Sequence, residues 1–427
     1  MIFELSVYDQ NNEIIKYQLP NKFSYIKSEL NDIKILFKNN YNSLTEVKNK
    51  IDDDNIKNKW DKVKKLGNPF ELVHMITPKN KWNNSVCALN PISRSFFKLI
   101  EILDINNFNL IYDNFQCKNI ACIAEGPGGF IEGFYYLYGN KINSINGLTL
   151  YSENKYVPGW SKMNNLLDKN ENFFKITKLH YGNLYKLDDI IKFKNNIKNK
   201  VDFATADGGL DFSIDFNNQE TMSNKIIYSE ILCALNILNK NGNFIIKFFD
   251  IFGLFSINMM YILYCLFDKI TIIKPKSSRP ANSEKYIYCK GFIGISDELL
   301  NNMNNILKEW DNMDDNNTIS YFSLDIPSLF VHKMNEINTN LLNNQIFYLN
   351  KTIDLINNYP EKEQIEKISN EQSKNAINWC LDLNLPINGG SKYLKNYLSN
   401  NKRFNIKNKK NEHNNSPSPS YYPKTYE

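Results

Sequence analysis

Between about Asn68 and Phe292 the chain predicts an α/β fold with a mostly parallel sheet, on three observations. Short apolar, β-rich runs alternate there with amphipathic segments. One run, Ile120-Ala-Cys-Ile-Ala124, leads into the glycine loop Glu125-Gly-Pro-Gly-Gly-Phe130 and then the helical stretch Ile131 to Tyr138. Another, Val201 to Ala206, ends on a carboxylate, Asp207, ahead of Gly208-Gly209.

The elements follow from local pattern. Residues 1 to about 65 open with a candidate hairpin, Phe3–Tyr8 and Glu13–Gln18, turning at Asn11-Asn12, before charged, Asn-rich helical sequence. A helix is expected over Ser93–Leu103: Ser93 can cap it, and Phe96, Leu99, Ile100 and Leu103 share one face. Strands are expected at Ile120–Ala124, Ile145–Leu150, Val201–Ala206, Asn243–Phe248, Ile270–Ile273 and Lys285–Phe292. Between them, helices are expected at Ser223–Leu238, ended by Asn241-Gly242, and at Leu254–Phe267. The apolar run 254–267 is too short to span a bilayer and fits a buried helix. Four regions result: an extension over 1–67, the α/β domain over 68–295, a mostly helical region over 296–398, and a basic, then Ser/Pro-rich tail over 399–427 for which disorder is the default.

Composition narrows the function classes. Hydrophobic residues make up 42% of the 427, enough for a sizeable core. The net charge of +5 is mild, and abundant Lys, Asn and Ile point to A/T-rich coding, so charge alone does not call for a nucleic-acid partner. Cys87, Cys117, Cys122, Cys233, Cys265, Cys289 and Cys380 form no C-x-x-C pair, which suits free thiols in a reducing compartment rather than zinc. The start lacks a signal peptide's basic and apolar regions, so a soluble, intracellular protein with no membrane partner is expected.

Four polar residues stand at the edges of apolar elements. Lys98 lies off the apolar face of its helix, where a solvated lysine is the ordinary alternative. Asp207 is either a turn former or a residue at the ligand-binding edge of a parallel sheet. Lys247 is the lone charge in Asn243-Phe-Ile-Ile-Lys-Phe-Phe249; Phe244, Ile246 and Phe248 take one face, leaving it on the other with Ile245 and Phe249. A buried ammonium needs a carboxylate, a wet cleft or a lowered pKa, unless Lys247 guards an edge strand. Glu284 opens the last strand and gains weight only from its company. The glycine loop lacks the G-x-G-x-x-G spacing of a dinucleotide site. A proline in a loop introduced by Glu125 suits a nucleoside with an amino-acid tail: Glu125 takes hydroxyl or ammonium donors, and backbone amides take the carboxylate.

These residues resemble the FtsJ-type (RrmJ-like) ribose 2′-O-methyltransferases, and among them the cap-specific mRNA (nucleoside-2′-O-)-methyltransferases of eukaryotes and large DNA viruses. The shared segments are Ser93-Arg-Ser-Phe-Phe-Lys98, Glu125-Gly-Pro-Gly-Gly-Phe130, Thr205-Ala-Asp-Gly-Gly209, Ile245-Ile-Lys-Phe-Phe-Asp250 and Ser278-Arg-Pro-Ala-Asn-Ser-Glu-Lys-Tyr286. The resemblance implies a Rossmann-like class I methyltransferase fold with a seven-stranded, mostly parallel sheet and helices on both faces. It implies S-adenosyl-L-methionine as cofactor, no metal, and a catalytic tetrad at Lys98, Asp207, Lys247 and Glu284. It places the cofactor on Glu125, Gly126, Pro127, Gly128, Gly129 and Phe130, with Asp207. Asn183 stands where many relatives carry an acid contacting the cofactor adenosine, and Gly147-Leu-Thr-Leu150 offers no acidic ribose ligand. Capped mRNA is the implied substrate, with other capping enzymes or RNA polymerase as partners and a cytoplasmic, viral-factory, virion or nuclear location.

The implied reaction is attack of an RNA 2′-OH on a sulfonium methyl. Lys247 is the expected base, its pKa lowered from ~10.4 toward ~7–8 by desolvation and by Lys98, a shift worth about 4 kcal/mol. Asp207 would orient it, Lys98 would bind the 2′-oxygen, and Glu284 would hold one of the two lysines. Arg94, Lys276 and Arg279 are candidate phosphate contacts, each with a solvated surface role as its alternative. A ribosomal or transfer RNA methyltransferase of the same fold, and a catalytically silent RNA-binding subunit, are the competing readings; a dehydrogenase is disfavoured by the loop spacing.

Overall fold

The computed structural model describes residues 1–394 except 30–31, 76–84, 107–118, 155–156, 164–165, 167–173, 177–181, 210–216 and 315. The expected tail and Cys117 lie outside the described residues. Strands are β1 (Ile2–Glu4), β2 (Tyr25–Glu29), β3 (Asn119–Ile123), β4 (Ser144–Gly147), β5 (Phe174–Ile176), β6 (Val201–Ala206), β7 (Leu238–Phe248), β8 (Phe267–Ile273), β9 (Lys285–Phe292) and β10 (Asn317–Phe322). Helices are α1 (Lys38–Asn49), α2 (Asp54–Gly67), α3 (Ser95–Ile105), α4 (Gly129–Tyr138), α5 (Leu187–Asn196), α6 (Gln219–Ile237), α7 (Leu254–Leu266), α8 (Asp297–Asp311), α9 (Ser328–Asn357) and α10 (Lys362–Asp382).

The main sheet runs β1-β8-β9-β7-β6-β3-β4-β5. Strands β3 to β7 pair in parallel, and β9 runs antiparallel between β7 and β8. This is the expected seven-stranded, mostly parallel sheet, widened by β1. Successive residues feed opposite cores, as the pleat requires. Ala121, Ile123, Phe244, Ile246 and Phe248 pack with α5, α6 and α7, while Ile120, Cys122, Ile245, Tyr286 and Tyr288 pack with α3 and α4. Lys247 shares the second face, as its alternation with Ile245 predicts.

Several boundaries differ from the sequence reading. The N-terminal hairpin shrinks to one bridge, Tyr8 with Ile14, because Ile2–Glu4 pairs antiparallel with β8 and extends the main sheet. Helix α6 ends at Ile237, and Asn241-Gly242 lies inside β7 rather than ending the helix. Strand β7 starts early because Leu238 pairs with Val201, and Asn241 takes a left-handed φ of 66° to keep the strand running. Strands β5 and β2 went unseen: the first has three residues, and the second pairs only with distant β10.

The flanking regions are packed into the sheet. Lys48 of α1 pairs with buried Asp250 at 3.2 Å, and Leu36 and Phe37 donate backbone hydrogen bonds to Phe252. Helix α10 sets Ala376, Ile377, Trp379 and Cys380 against Val73, Val86, Phe96 and Phe97. Cys87, Cys122, Cys233, Cys265, Cys289 and Cys380 are free and buried. Among the described residues no helix is long and apolar enough to cross a membrane.

Candidate active site

Topology explains why residues so far apart in sequence meet. Strands β6 and β7 end where β9, running the other way, begins, so Asp207, Lys247 and Glu284 fall at one edge of the sheet. Lys98, one turn into α3, reaches the same edge from the face above. Lys247 sits across from Tyr286 in the β7–β9 register.

Two ion pairs fill the edge. Lys247 Nζ donates to the Asp207 backbone carbonyl at 2.9 Å and lies 3.2 Å from Asp207 Oδ1. Lys98 Nζ lies 2.7 Å from Glu284 Oε1 and 2.9 Å from Oε2. Tyr286 ties the pairs together: its hydroxyl donates to Asp207 Oδ1 at 2.8 Å, and its ring centroid lies 5.8 Å from Lys98 Nζ. Ser278 donates to Glu284 Oε1 at 2.8 Å. Burial pushes the Glu284 carboxyl up, but Lys98, Lys247 and Lys274 outweigh it and bring the group down to about 2.

Lys247 corrects one expectation. Burial pulls its pKa down, yet Asp207, Glu284 and Glu230 together hold it above its ordinary value. Lys98 cannot supply the expected repulsion, since its charge is matched by Glu284. The free site therefore keeps Lys247 protonated.

Loop 274–284, which carries Glu284, is pinned from below. Lys274 is 7% exposed and donates to the backbone carbonyls of Asn282 and Glu284, at 2.7 and 2.6 Å, and to the Asn282 side chain. Burial lowers its pKa to about 7. Glu101 accepts from the Lys276 and Ser277 amides, the Ser277 hydroxyl and the Trp379 indole.

At the glycine loop the roles are partly redistributed. The Gly126–Pro127 bond is cis, and Gly128 takes a φ of 112° ahead of α4. Glu125 Oε1 itself accepts the Phe130 amide at 2.6 Å, so part of the expected carboxylate-binding amide set is filled by the protein's own acid. The glycines are also demanded by the chain: a Cβ at Gly126 would lie 2.1 Å from the Pro158 carbonyl oxygen, and one at Gly128 2.0 Å from Met163 Sδ. Thr149 joins this loop to the next, accepting from the Gly126 amide while Gly182 abuts its carbonyl. Asn183 follows at once, its Oδ1 accepting the Tyr185 amide.

Glu125 Oε2 is buried with no hydrogen-bond partner. Burial and neighbouring Asp207 push this carboxyl well above its usual range. A buried acid with an open acceptor, next to Asp207, fits a ligand with a positively charged group at the loop. The chain can therefore accommodate the implied cofactor.

The candidate phosphate contacts divide. Arg94 turns inward, donating to the carbonyls of His74 and Ser277. Arg279 forms a fork with Glu71, at 3.0 Å from Nε and 2.8 Å from NH2. Glu71 is 3% exposed and both guanidiniums lie against it, while the Arg94 and Arg279 side chains stay 28% and 34% exposed. Lys276 stays at the surface, its Nζ 5.8 Å from the Phe70 ring centroid.

Sequence reasoning missed Tyr286 and Glu230. Tyr286 is two residues past Glu284 and so shares its face. Glu230 is the only charge in the apolar run Ile226 to Leu238, the signal that singled out Lys247.

Residues 91–292 match the family model described as FtsJ-like methyltransferase. Over 342 residues the chain is 27% identical to cap-specific mRNA (nucleoside-2′-O-)-methyltransferase 1 of Mus musculus, covering 74% of this chain and 38% of that protein. Over 192 residues it is 34% identical to the protein of the same name from Homo sapiens, covering 42% of this chain and 22% of the other. The chain thus spans well under half the length of these relatives. Among solved structures, human methyltransferase-like protein 13 is similar at a TM-score of 0.30 and 12% identity, over 52% of this chain and 94% of that one. An rRNA methylase from Streptococcus thermophilus gives 0.28 and 12%, over 48% and 98%. At these scores the strand order itself, rather than the likeness, identifies the fold.

Proposed function

We propose, from the premise that residues 91–292 form an FtsJ-like methyltransferase domain, that this protein methylates the ribose 2′-oxygen at the 5′ end of capped mRNA. The observation that carries the proposal is the meeting of Lys98, Asp207, Lys247 and Glu284 at one sheet edge, beside the open oxygen of Glu125. The names of the relatives support the cap as substrate.

S-adenosyl-L-methionine, when bound, supplies a methyl group on a positively charged sulfur. Glu125, the loop Gly126-Pro-Gly128, the turn at Asn183 and the Asp207 carboxylate are the residues that would hold it. Lys247 accepts the hydroxyl proton once it has lost its own. Asp207, Glu284 and Glu230 oppose that loss, so activity rises as pH climbs from neutral into the alkaline range. Lys98, fixed by Glu284 and backed by the Tyr286 ring, presents positive charge to the oxygen that gains negative character. Asp207 is fixed on both sides, by Tyr286 and Lys247, and so orients the lysine. Lys276 at the surface, with the partly exposed Arg94 and Arg279, would meet RNA phosphate; other capping enzymes or RNA polymerase are the partners this reading implies.

The test uses labelled S-adenosylmethionine with capped and uncapped short RNAs, followed by digestion to map the methylated ribose. Label should appear on a 2′-oxygen of capped RNA, and Lys247→Met should abolish it while binding of the methyl donor stays near the parent's. Equal labelling of uncapped RNA would remove the cap from the proposal, and activity in Lys247→Met would remove Lys247 from the mechanism.

A further inference from the structure

We propose that the Asp207–Gly208 peptide links Glu230, buried in α6, to Lys247, making Glu230 a positioning residue that sets how tightly Lys247 holds its proton. The proposal rests on the reading of Lys247 as proton acceptor for its consequence in catalysis, while the link itself stands on geometry.

One peptide unit makes both contacts. Its carbonyl oxygen, on Asp207, accepts from Lys247 Nζ at 2.9 Å. Its N–H, on Gly208, donates to Glu230 Oε1 at 2.8 Å. In a trans peptide the two groups point in opposite directions, so Glu230 and Lys247 grip it from opposite sides. The approach requires glycine: a Cβ on Gly208 would lie 2.2 Å from Glu230 Oε1 and 3.2 Å from Ala124 Cβ. Glu230 is fully buried, and its Oε2 has no hydrogen-bond partner. A helix-capping or surface-pairing role does not account for an acid in mid-helix inside an apolar run.

The link has an electrical consequence. Hydrogen bonds in series polarise one another, and one to a carboxylate is stronger than one to a neutral carboxyl. When Glu230 is ionised it draws on the Gly208 N–H, the Asp207 carbonyl oxygen becomes a better acceptor, and the Lys247 ammonium is held more tightly. When Glu230 carries its proton, Lys247 is released. Burial pushes the Glu230 carboxyl up, Lys247 and the Gly208 amide pull it down and Asp207 pushes it up, leaving it at about 8. The groups facing Glu230 are Lys247 from β7, Asp207 from the end of β6, Tyr185 ahead of α5 and Cys233 on α6. Those facing Lys247 are Asp207, Glu284, Glu230 and Glu125, with the Phe249 ring 5.7 Å away.

Glu230→Gln tests the link, because glutamine keeps an oxygen for the Gly208 amide but cannot ionise. Protein labelled with 13C at lysine Cε is titrated by NMR, the Lys247 signal being identified by its loss in Lys247→Met. Lys247 should titrate lower in Glu230→Gln than in the parent, by about half a pH unit or more. In 15N-glycine-labelled protein, the Gly208 amide should titrate near the Glu230 value in the parent and not in the variant. Glu230→Asp, which still ionises, should keep a Gly208 titration and covers the case in which glutamine disturbs the fold. An unmoved Lys247 titration, or a Gly208 amide without a Glu230-dependent step, overturns the proposal. If Lys247 shifts but the pH–rate limb of methyl transfer does not follow, the link stands and the reading of Lys247 as proton acceptor falls.

Discussion

Glu284→Gln removes the acid that pairs with Lys98, and its magnitude follows from the depressed carboxyl. The carboxyl lies at about 2 in the folded chain, against an ordinary value of 4.5, because three lysines surround it. That gap of about 2.5 units, at ~1.4 kcal/mol per unit, amounts to about 3.5 kcal/mol of stability at neutral pH. A depressed acid contributes fully above its unfolded value and loses the contribution as pH falls toward the folded one. By about pH 3 roughly 1 kcal/mol should remain. Glutamine removes this term and leaves Lys98, 16% exposed, without its partner. Removing one member of a buried pair costs about 3–5 kcal/mol, at the lower end where water can reach the survivor. Urea denaturation of parent and variant between neutral pH and about pH 3 is the assay. The stability gap should be about 3.5 kcal/mol at neutral pH and should close steadily with acid. A gap that stays constant across the range would refute the assignment of that stability to the Glu284 charge.

Other outcomes follow from single contacts. Tyr286→Phe removes the hydroxyl on Asp207 and should slow methyl transfer about tenfold, a loss of about 1.4 kcal/mol, with binding of the donor unchanged by calorimetry. Trp379→Phe keeps the apolar packing but removes a donor to Glu101, and should cost about 1 kcal/mol in denaturation midpoint analysis. Lys48→Met leaves Asp250, 7% exposed, with Lys285 at 3.9 Å as its remaining cation; unfolding should become easier by about 2 kcal/mol, while Lys48→Arg should recover most of it.

Much of the sheet could be read from the chain because its strands are apolar on both faces and stand out from their surroundings. The bounds of β6 and β9 were legible to the residue. Edges were not. Strand β1 looked like half of a local hairpin, since nothing local in Ile2–Glu4 announces a partner more than 260 residues away. The site divided along a similar line. Lys247 was conspicuous as a lone charge in a strand, but its proton affinity depends on carboxylates from three other elements and came out opposite in sign. That Arg94 and Arg279 share Glu71 was not legible, because nothing local in sequence announces a partner so far along the chain.

The fourfold use of Glu101 bears on how this molecule can be divided. The stretch that matches the FtsJ-like family stops at residue 292, yet Glu101 within it takes one of its four donors from Trp379, and Phe96 and Phe97 are covered by the same distant helix. A fragment trimmed to 91–292 would expose that apolar patch and the β8 edge that β1 covers, and would strip Asp250 of Lys48. The family match marks out one length of chain here, and packing marks out a longer one. Anyone producing the protein in pieces should cut by the second.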